Sequence, residues 1–152
     1  MPEPDPLNTG LIRIVGDIAV TASEPFVTNE SECEVESWND PVRGVVTWRT
    51  LLSGDRTPTN SLTIGVAEMR EADSADVRLH RHAQAEAYYI LSGRGVLQID
   101  GADHLLTAGV TAFIPGGSLH GARARGSEPL RILYVFAADA FNEVQYEFPS
   151  ES

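Results

Sequence analysis

The sequence contains no lysine, so all eleven of its basic residues are arginine, and twenty-two acidic residues outnumber them to give a formal net charge of -11. Such a charge repels phosphate backbones and anionic lipid. We therefore expect neither nucleic acid nor a membrane surface as a partner. The all-arginine set weakly favours carboxylate ligands, because the planar guanidinium holds a carboxylate with two hydrogen bonds.

Cysteine and long apolar runs are scarce as well. Cys33 is the only cysteine, which excludes an intramolecular disulfide and gives no sign of an oxidising compartment. No apolar stretch reaches the length of a membrane span, and the N-terminus MPEPDPLNTG has neither the charged nor the apolar region of a signal peptide. These absences predict a cytoplasmic protein.

Helical periodicity is also missing, and short β-type runs between turn signals take its place. The predicted strands are 11–15, 44–52, 62–69, 88–91, 95–99, 104–106, 110–114 and 130–136, with helix expected only near 138–143. Many short strands joined by close turns predict an all-β, jelly-roll-like sandwich or barrel. The prolines and acidic residues at the start predict a disordered arm over 1–10, followed by a single domain over 11–152.

Histidine is used only four times, and two of the four lie in the stretch HRHAQAEAYYILSG, which begins at His80. Residues two apart in a strand face the same side, so His80 and His82 project together. If the chain stays extended, or turns and resumes in the same register, Glu86 and Tyr88 face the same interior, whereas Tyr89 points the other way. Two imidazoles and a carboxylate suit a divalent first-row metal such as iron, manganese, nickel, cobalt or zinc.

The other two histidines lie in different contexts. His104 follows the Asp100-Gly101 turn, and we expect it to be a half-exposed edge residue. His120 closes the segment IPGGSLH, where a proline and two glycines predict a tight turn before the histidine enters the next strand.

These two segments together resemble the two sequence motifs of the cupin family. His80, His82, Glu86 and Gly93 have the spacing H-x-H-x3-E-x6-G of the first motif. The second motif has the spacing G-x5-P-x-G-x2-H, and the residues that match it are Gly109, Pro115, Gly117 and His120. The chain departs from the family at two positions that are not metal ligands there, which are Ser74 in place of glycine and Ala124 in place of asparagine.

The resemblance implies a single cupin double-stranded β-helix, a jelly-roll-like barrel. It also implies one divalent transition metal, with Fe(II) favoured and Mn, Ni, Co or Zn as alternatives. His80, His82, Glu86 and His120 would bind this metal, and about two coordination positions would stay open for water or substrate.

Tyr88 bears on the choice of reaction. If it faces the metal, the nearby cation would lower the pKa of the phenol and let it act as a general base. The arrangement H-x-H-x3-E-x-Y resembles small bacterial cupin lyases that cleave dimethylsulfoniopropionate (DMSP) to acrylate and dimethyl sulfide. We expect such a lyase acting on a small carboxylate-bearing substrate. Two alternatives stay open: a mononuclear non-haem iron dioxygenase, and a non-catalytic cupin that binds a small molecule.

Other aromatic and apolar residues are candidates for the walls of the site. Phe113 and Ile90 are expected to form the apolar wall that the substrate touches. Tyr134 is a second candidate tyrosine, although packing is the more ordinary role for it. Trp38 and Trp48 are expected in the core or in a dimer interface.

Three arginines, Arg49, Arg123 and Arg125, could serve a substrate anion, but the sequence does not rank them above surface arginines.

Barrels of this kind expose a sheet edge, which proteins usually cover by pairing. We therefore expect a homodimer that pairs or exchanges N-terminal strands around residues 11–15.

Overall fold

The computed structural model describes residues 23–73 and 78–149, and also the backbone of two short strands that precede them. The predicted N-terminal arm and Ser74 lie outside the described residues. The strands, numbered β1 to β11 in chain order, are Arg13–Val15, Ile18–Val20, Val35–Asp40, Gly44–Leu52, Thr63–Met69, Glu86–Ser92, Arg94–Ile99, Ala102–Thr107, Thr111–Ile114, His120–Arg125 and Leu130–Phe136.

Two antiparallel sheets make up the barrel. Six strands form one sheet in the order β3-β4-β5-β11-β6-β9, and three strands form the other in the order β10-β7-β8. The strands β1 and β2 pair with each other in a small sheet of their own. Buried residues from both large sheets form one hydrophobic cluster between them, so the predicted all-β, jelly-roll-like fold is confirmed.

The alternation of side chains along β11 shows how the sequence builds this core. Leu130, Ile132, Tyr134 and Phe136 are all buried, whereas Arg131 lies on the outer face. Since successive side chains of a strand point to opposite faces, the even positions fill the barrel and the odd positions face out.

The predicted strands are all found, and three further strands are present that were not in the predicted set. The structure describes residues 13–15 of the first predicted strand, and β4 and β11 have the predicted bounds. Strands β2 at Ile18–Val20 and β3 at Val35–Asp40 were not predicted, and β10 at His120–Arg125 was predicted only as the strand that His120 enters. The helix expected near 138–143 is a single 3-10 turn at Phe141–Glu143, and two further 3-10 turns lie at Glu30–Glu32 and Glu71–Asp73. Among the described residues no helix is both long and apolar enough to cross a membrane.

Candidate metal centre

The backbone brings the two histidine-containing motifs into direct contact. His80 and His120 form an antiparallel bridge, in which each backbone N–H donates to the carbonyl oxygen of the other at 2.9 Å. The N–H of Gly117 donates to the carbonyl oxygen of His82 at 2.8 Å. Backbone hydrogen bonds thus hold imidazoles that are distant in the sequence close together, without a ligand.

Two glycines make this approach feasible. Gly117 has a φ of +82°, which favours glycine. A Cβ atom at Gly116 would lie 2.2 Å from the carbonyl oxygen of Ala83, so only glycine lets the turn pack against the chain beside His82. The proline and glycines of IPGGSLH therefore serve to dock the second motif onto the first.

The structure brings together the four side chains that the sequence singled out. The ligand nitrogens of His80, His82 and His120 all lie within 4.8 Å of one another. Glu86, the first residue of β6, faces the same space, and its Oε2 is 3.0 Å from Nε2 of His82 and 3.2 Å from Nε2 of His120. His82, Glu86 and His120 are buried, and His80 is partly buried.

Backbone carbonyls fix the orientation of each imidazole. Nδ1 of His80 is 3.1 Å from the carbonyl oxygen of Arg78, Nδ1 of His82 is 2.9 Å from that of Gln84, and Nδ1 of His120 is 2.8 Å from that of Ser118. A carbonyl oxygen can only accept, so Nδ1 carries the proton in all three rings. Each neutral ring then presents the lone pair of Nε2, which is the arrangement found in histidines that bind metals.

The electrostatics of the cluster call for a cation. Two Nε2 lone pairs and an ionised carboxylate oxygen converge on one space, and all three are hydrogen-bond acceptors. Protons on the rings or a metal ion would satisfy them. A set of three imidazole nitrogens and one carboxylate oxygen is suited to a divalent first-row transition metal, so these residues fit such an ion.

Burial and the contacts within the cluster both shift the pKa values of His80 and Glu86. Burial and the neighbouring His120 lower the pKa of His80 to about 4, so the ring is neutral near pH 7. Burial acts to raise the pKa of Glu86, but its contacts with His120 and His82 outweigh burial and lower that pKa. A neutral His80 and an ionised Glu86 are the protonation states in which these two side chains bind a metal.

A cavity of about 430 Å³ opens beside the cluster. His80 and Glu86 line it, and so does Tyr88, which lies two residues after Glu86 on the inner face of β6. Burial, together with the negative charge of Glu86, raises the pKa of the Tyr88 phenol well above its usual value. Tyr89 is 46% exposed on the opposite face, as its parity predicted.

The C-terminal segment supplies site residues that the sequence analysis missed. Arg81 and Glu147 form an antiparallel bridge, which places the neighbours of Glu147 against the two histidines that flank Arg81. The ring of Tyr146 is 5.3 Å from that of His80 and 5.4 Å from that of His82, between centroids. No motif marks Tyr146, so only its parity with Phe148 in the sequence YEF could have hinted at a paired segment.

The walls of the cavity differ from those expected. Phe113 is 69% exposed on the outer face of β9, because Ala112 and Ile114 take the inward positions there, so the prediction that it lines the site is wrong. Ile90 does point inward, but it lies in the core and is not among the residues that line the cavity. The aromatic residues that do line it are Trp38, Trp48, Tyr88, Tyr134, Phe136, Phe141 and Tyr146.

The arginines at the cavity also differ from the three named from sequence. Arg49 donates to the carbonyl oxygens of Glu30 and Cys33, at 2.7 and 3.2 Å, and neither it nor Arg123 nor Arg125 lines the cavity. The cavity arginines are instead Arg43 and Arg78. His104 is exposed on β8, away from the histidine cluster.

Similarity to known proteins agrees with this geometry. Residues 68–136 match the family model described as "Cupin domain". The dimethylsulfoniopropionate lyase DddW of Ruegeria pomeroyi is 35% identical over 128 residues, which cover 84% of this chain and 82% of that protein. An oxalate-binding protein of Thermotoga maritima is 36% identical over 70 residues, which cover 45% of this chain and 58% of that protein.

A solved structure has the same architecture. The crystal structure of a predicted oxalate decarboxylase from Thermotoga maritima superimposes with a TM-score of 0.64 at 28% sequence identity. The similarity covers 74% of this chain and 99% of that one. The fold of this chain is thus shared with a solved protein structure.

Proposed function

Because this chain belongs to the cupin family, we propose that it is a metal-dependent lyase, which cleaves dimethylsulfoniopropionate to acrylate and dimethyl sulfide. The observation that carries the proposal is the position of Tyr88, whose phenol lines the same cavity as His80 and Glu86. The overall identity of 35% to a dimethylsulfoniopropionate lyase supports it.

In this proposal His80, His82, Glu86 and His120 hold one divalent metal ion, with Fe(II) favoured over Mn, Ni, Co or Zn. When bound, the ion would polarise the substrate carboxylate and lower the pKa of the nearby phenol. The carbonyls of Arg78, Gln84 and Ser118 keep Nε2 of each imidazole free for this purpose.

The chemical step is a β-elimination in which Tyr88 is the base. The Tyr88 phenolate takes the proton from the carbon beside the carboxylate, and the electrons of that C–H bond form the carbon–carbon double bond. The carbon–sulfur bond breaks and its electron pair stays on sulfur, so that neutral dimethyl sulfide leaves together with acrylate. The residues that line the cavity are mostly apolar or aromatic, and they limit the access of water to the phenolate.

Headspace analysis tests this proposal. Metal-loaded protein supplied with dimethylsulfoniopropionate should release dimethyl sulfide and an equal amount of acrylate, and His120→Ala should release neither. Equal and near-background release from both proteins would overturn the lyase proposal. Oxygen consumption measured in the same vessel would point instead to a dioxygenase that uses the same four residues.

A non-catalytic role in small-molecule binding is a second candidate. It is favoured by the similarity over 70 residues to an oxalate-binding protein. Saturable binding of oxalate or another small carboxylate to the metal-loaded protein, with no turnover of dimethylsulfoniopropionate, would support this role.

A further inference from the structure

The rim of the cavity on the side of the β3–β4 hairpin already holds a cation. The guanidinium carbon of Arg43 lies 5.1 Å from the centroid of the Trp38 ring, over its face. Both residues line the cavity that His80 and Glu86 also line. We call the three residues Trp38, Asp40 and Arg43 the hairpin rim.

Asp40 builds this rim. Its Oδ1 accepts hydrogen bonds from the backbone N–H groups of Val42 and Arg43, at 2.9 and 2.8 Å, and these bonds fix the hairpin turn. Its Oδ2 accepts a hydrogen bond from Nε of Arg43 at 2.6 Å. One carboxylate therefore shapes the turn and also supplies negative charge beside the Trp38 ring.

The rim lies one aromatic ring away from the histidine cluster. The Tyr146 ring is 4.9 Å from the Trp38 ring and 5.3 Å from the His80 ring, between centroids. Tyr146 thus packs against both the hairpin rim and the histidine cluster, and a ligand whose carboxylate binds at the histidines can extend along this ring towards the rim.

The chemistry of the rim selects the group at that far end. An aromatic face attracts cations, best when the ring is that of tryptophan, and the Asp40 carboxylate adds a negative charge. Aromatic and apolar residues, with Val46 and Met69 among them, make up most of the cavity lining, which also includes Asn39, Asp73 and Arg78. A bulky cation without N–H donors donates no hydrogen bonds to water, so it loses none when it enters the cavity. It still gains the cation–π attraction of the Trp38 ring.

We propose that the hairpin rim is the binding site for the cationic end of a zwitterionic substrate, and that Arg43 is a resident cation which this onium group displaces from Trp38. The inference rests on the proposed function, since it takes the substrate carboxylate to bind at the histidines. Arg43 is 46% exposed and keeps Asp40 as a partner when it moves towards solvent, so its displacement leaves no buried charge. Competition between Arg43 and the onium group for the Trp38 ring would determine which substrates bind.

Two carboxylate probes of the same shape test the site without turnover. One is 3-(trimethylammonio)propanoate, which carries a quaternary ammonium group. The other is 4,4-dimethylpentanoate, in which a carbon atom replaces the charged nitrogen. Isothermal titration of metal-loaded wild type should show tighter binding of the cationic probe, by about three- to thirty-fold.

Substitutions at the rim should change the ratio of the two affinities, that for the cationic probe divided by that for the neutral probe, in opposite directions. Trp38→Leu should bring the ratio near one, whereas Trp38→Phe should retain most of it, because phenylalanine keeps an aromatic face. Arg43→Gln should raise affinity for the cationic probe several-fold and leave the neutral probe unchanged. Arg94→Gln changes the net charge equally but lies outside the cavity lining, and it should behave as wild type.

Three results would overturn the inference: equal or weaker binding of the cationic probe by wild type, a ratio unaltered in Trp38→Leu, or no binding of either probe. Circular dichroism of each variant shows whether it has folded. The lyase proposal can fail separately. If the protein prefers the cationic probe but releases no dimethyl sulfide, the rim inference stands and the lyase proposal is wrong.

Discussion

His104 is a natural control for the clustered histidines, since it is exposed on β8 and cannot reach the site. We predict that metal-loaded wild type holds one equivalent of a divalent transition metal. His80→Ala and His120→Ala should weaken binding by more than the about 10- to 100-fold that loss of a supporting hydrogen bond costs, because each removes a ligand nitrogen. Plasma mass spectrometry and metal titration measure both values.

His104→Ala should bind metal as wild type does. If the purified wild-type protein held less than about a tenth of an equivalent and took up none on reconstitution, the metal site itself would be abandoned.

The adjacent tyrosines Tyr88 and Tyr89 form a matched pair, one buried at the cavity and the other 46% exposed. We predict that Tyr88→Phe lowers the rate of dimethyl sulfide release by about 10²- to 10⁴-fold, the usual contribution of a general base. Its metal content should not change, since the phenol is not among the four proposed ligands.

Tyr89→Phe removes the same atom from the outer face and should keep full activity. A Tyr88→Phe protein that remained active would assign proton removal to another group, and Tyr146 would be the first to test because its ring lies against His80 and His82.

At the residue scale, the parts of the site that local spacing determines could be read from the sequence. The shared inward face of Glu86 and Tyr88 follows from strand geometry within β6, whereas a bend at residues 83 and 84 separates this strand from His82. Tyr146 could not be found in this way, because its place depends on the bridge between Arg81 and Glu147. That pairing joins segments 66 residues apart (147 minus 81) and has no turn signal to announce it.

At the scale of the structural elements, the backbone conformation and close packing of the β6–β7 turn both constrain Gly93. It has a φ of +80°, and a Cβ atom there would lie 2.2 Å from the carbonyl oxygen of Pro129. Gly101 has a similar φ of +86° but nothing within 4 Å of its Cβ position. Comparing substitutions at these two glycines therefore separates the cost of a positive φ from the cost of a steric clash.

We predict that Gly101→Ala lowers the free energy of unfolding by about 1 kcal/mol, the cost of a left-handed alanine. Gly93→Ala should lower it by about 3 kcal/mol or more, since the β6–β7 turn must also move away from the backbone at Pro129. Urea denaturation followed by tryptophan fluorescence gives both values. Similar losses for the two variants would contradict the close packing at Gly93.

Strand β3 shows why one element escaped prediction. Its inward positions are Glu36, Trp38 and Asp40, whereas Val35 is 59% exposed on the outer face. Two of its three inward positions are thus acidic, unlike those of an ordinary half-buried strand. Glu36 is tolerated there because Thr50 and Arg56 donate to its Oε2, at 2.7 and 2.8 Å, and these partners come from β4 and the loop after it.

At the scale of the whole molecule, the fold class was predictable because turn residues and short alternating strands recur along the chain. What could not be predicted is the shared cavity, which draws lining residues from β3, β4, β5, β6, β10 and β11 and from the C-terminal segment. Its walls depend on which long-range strands pair, and so Phe113 was assigned to the wrong face while Trp38 and Arg43 were not assigned to the site.

The N-terminal hairpin and the sheet edges favour association of two chains. A two-stranded hairpin such as β1–β2 is at best marginally stable alone, and β3 and β9, the edge strands of the six-stranded sheet, each pair with one strand among the described residues. The outer face of β6 and β9 also exposes the apolar side chains of Tyr89, Leu91 and Phe113. Covering such features is a common reason for dimers.

We therefore predict that light scattering coupled to size exclusion gives twice the chain mass of 16.5 kDa. Deleting residues 1–22, which contain β1 and β2, should shift the mass to that of one chain if the hairpin makes the contact. Phe113→Asp should have no effect in that case, whereas it alone would give the monomer if the outer face of β9 were the interface. A monomer mass for the full chain would contradict the dimer, and the hairpin would then have to pack against its own barrel.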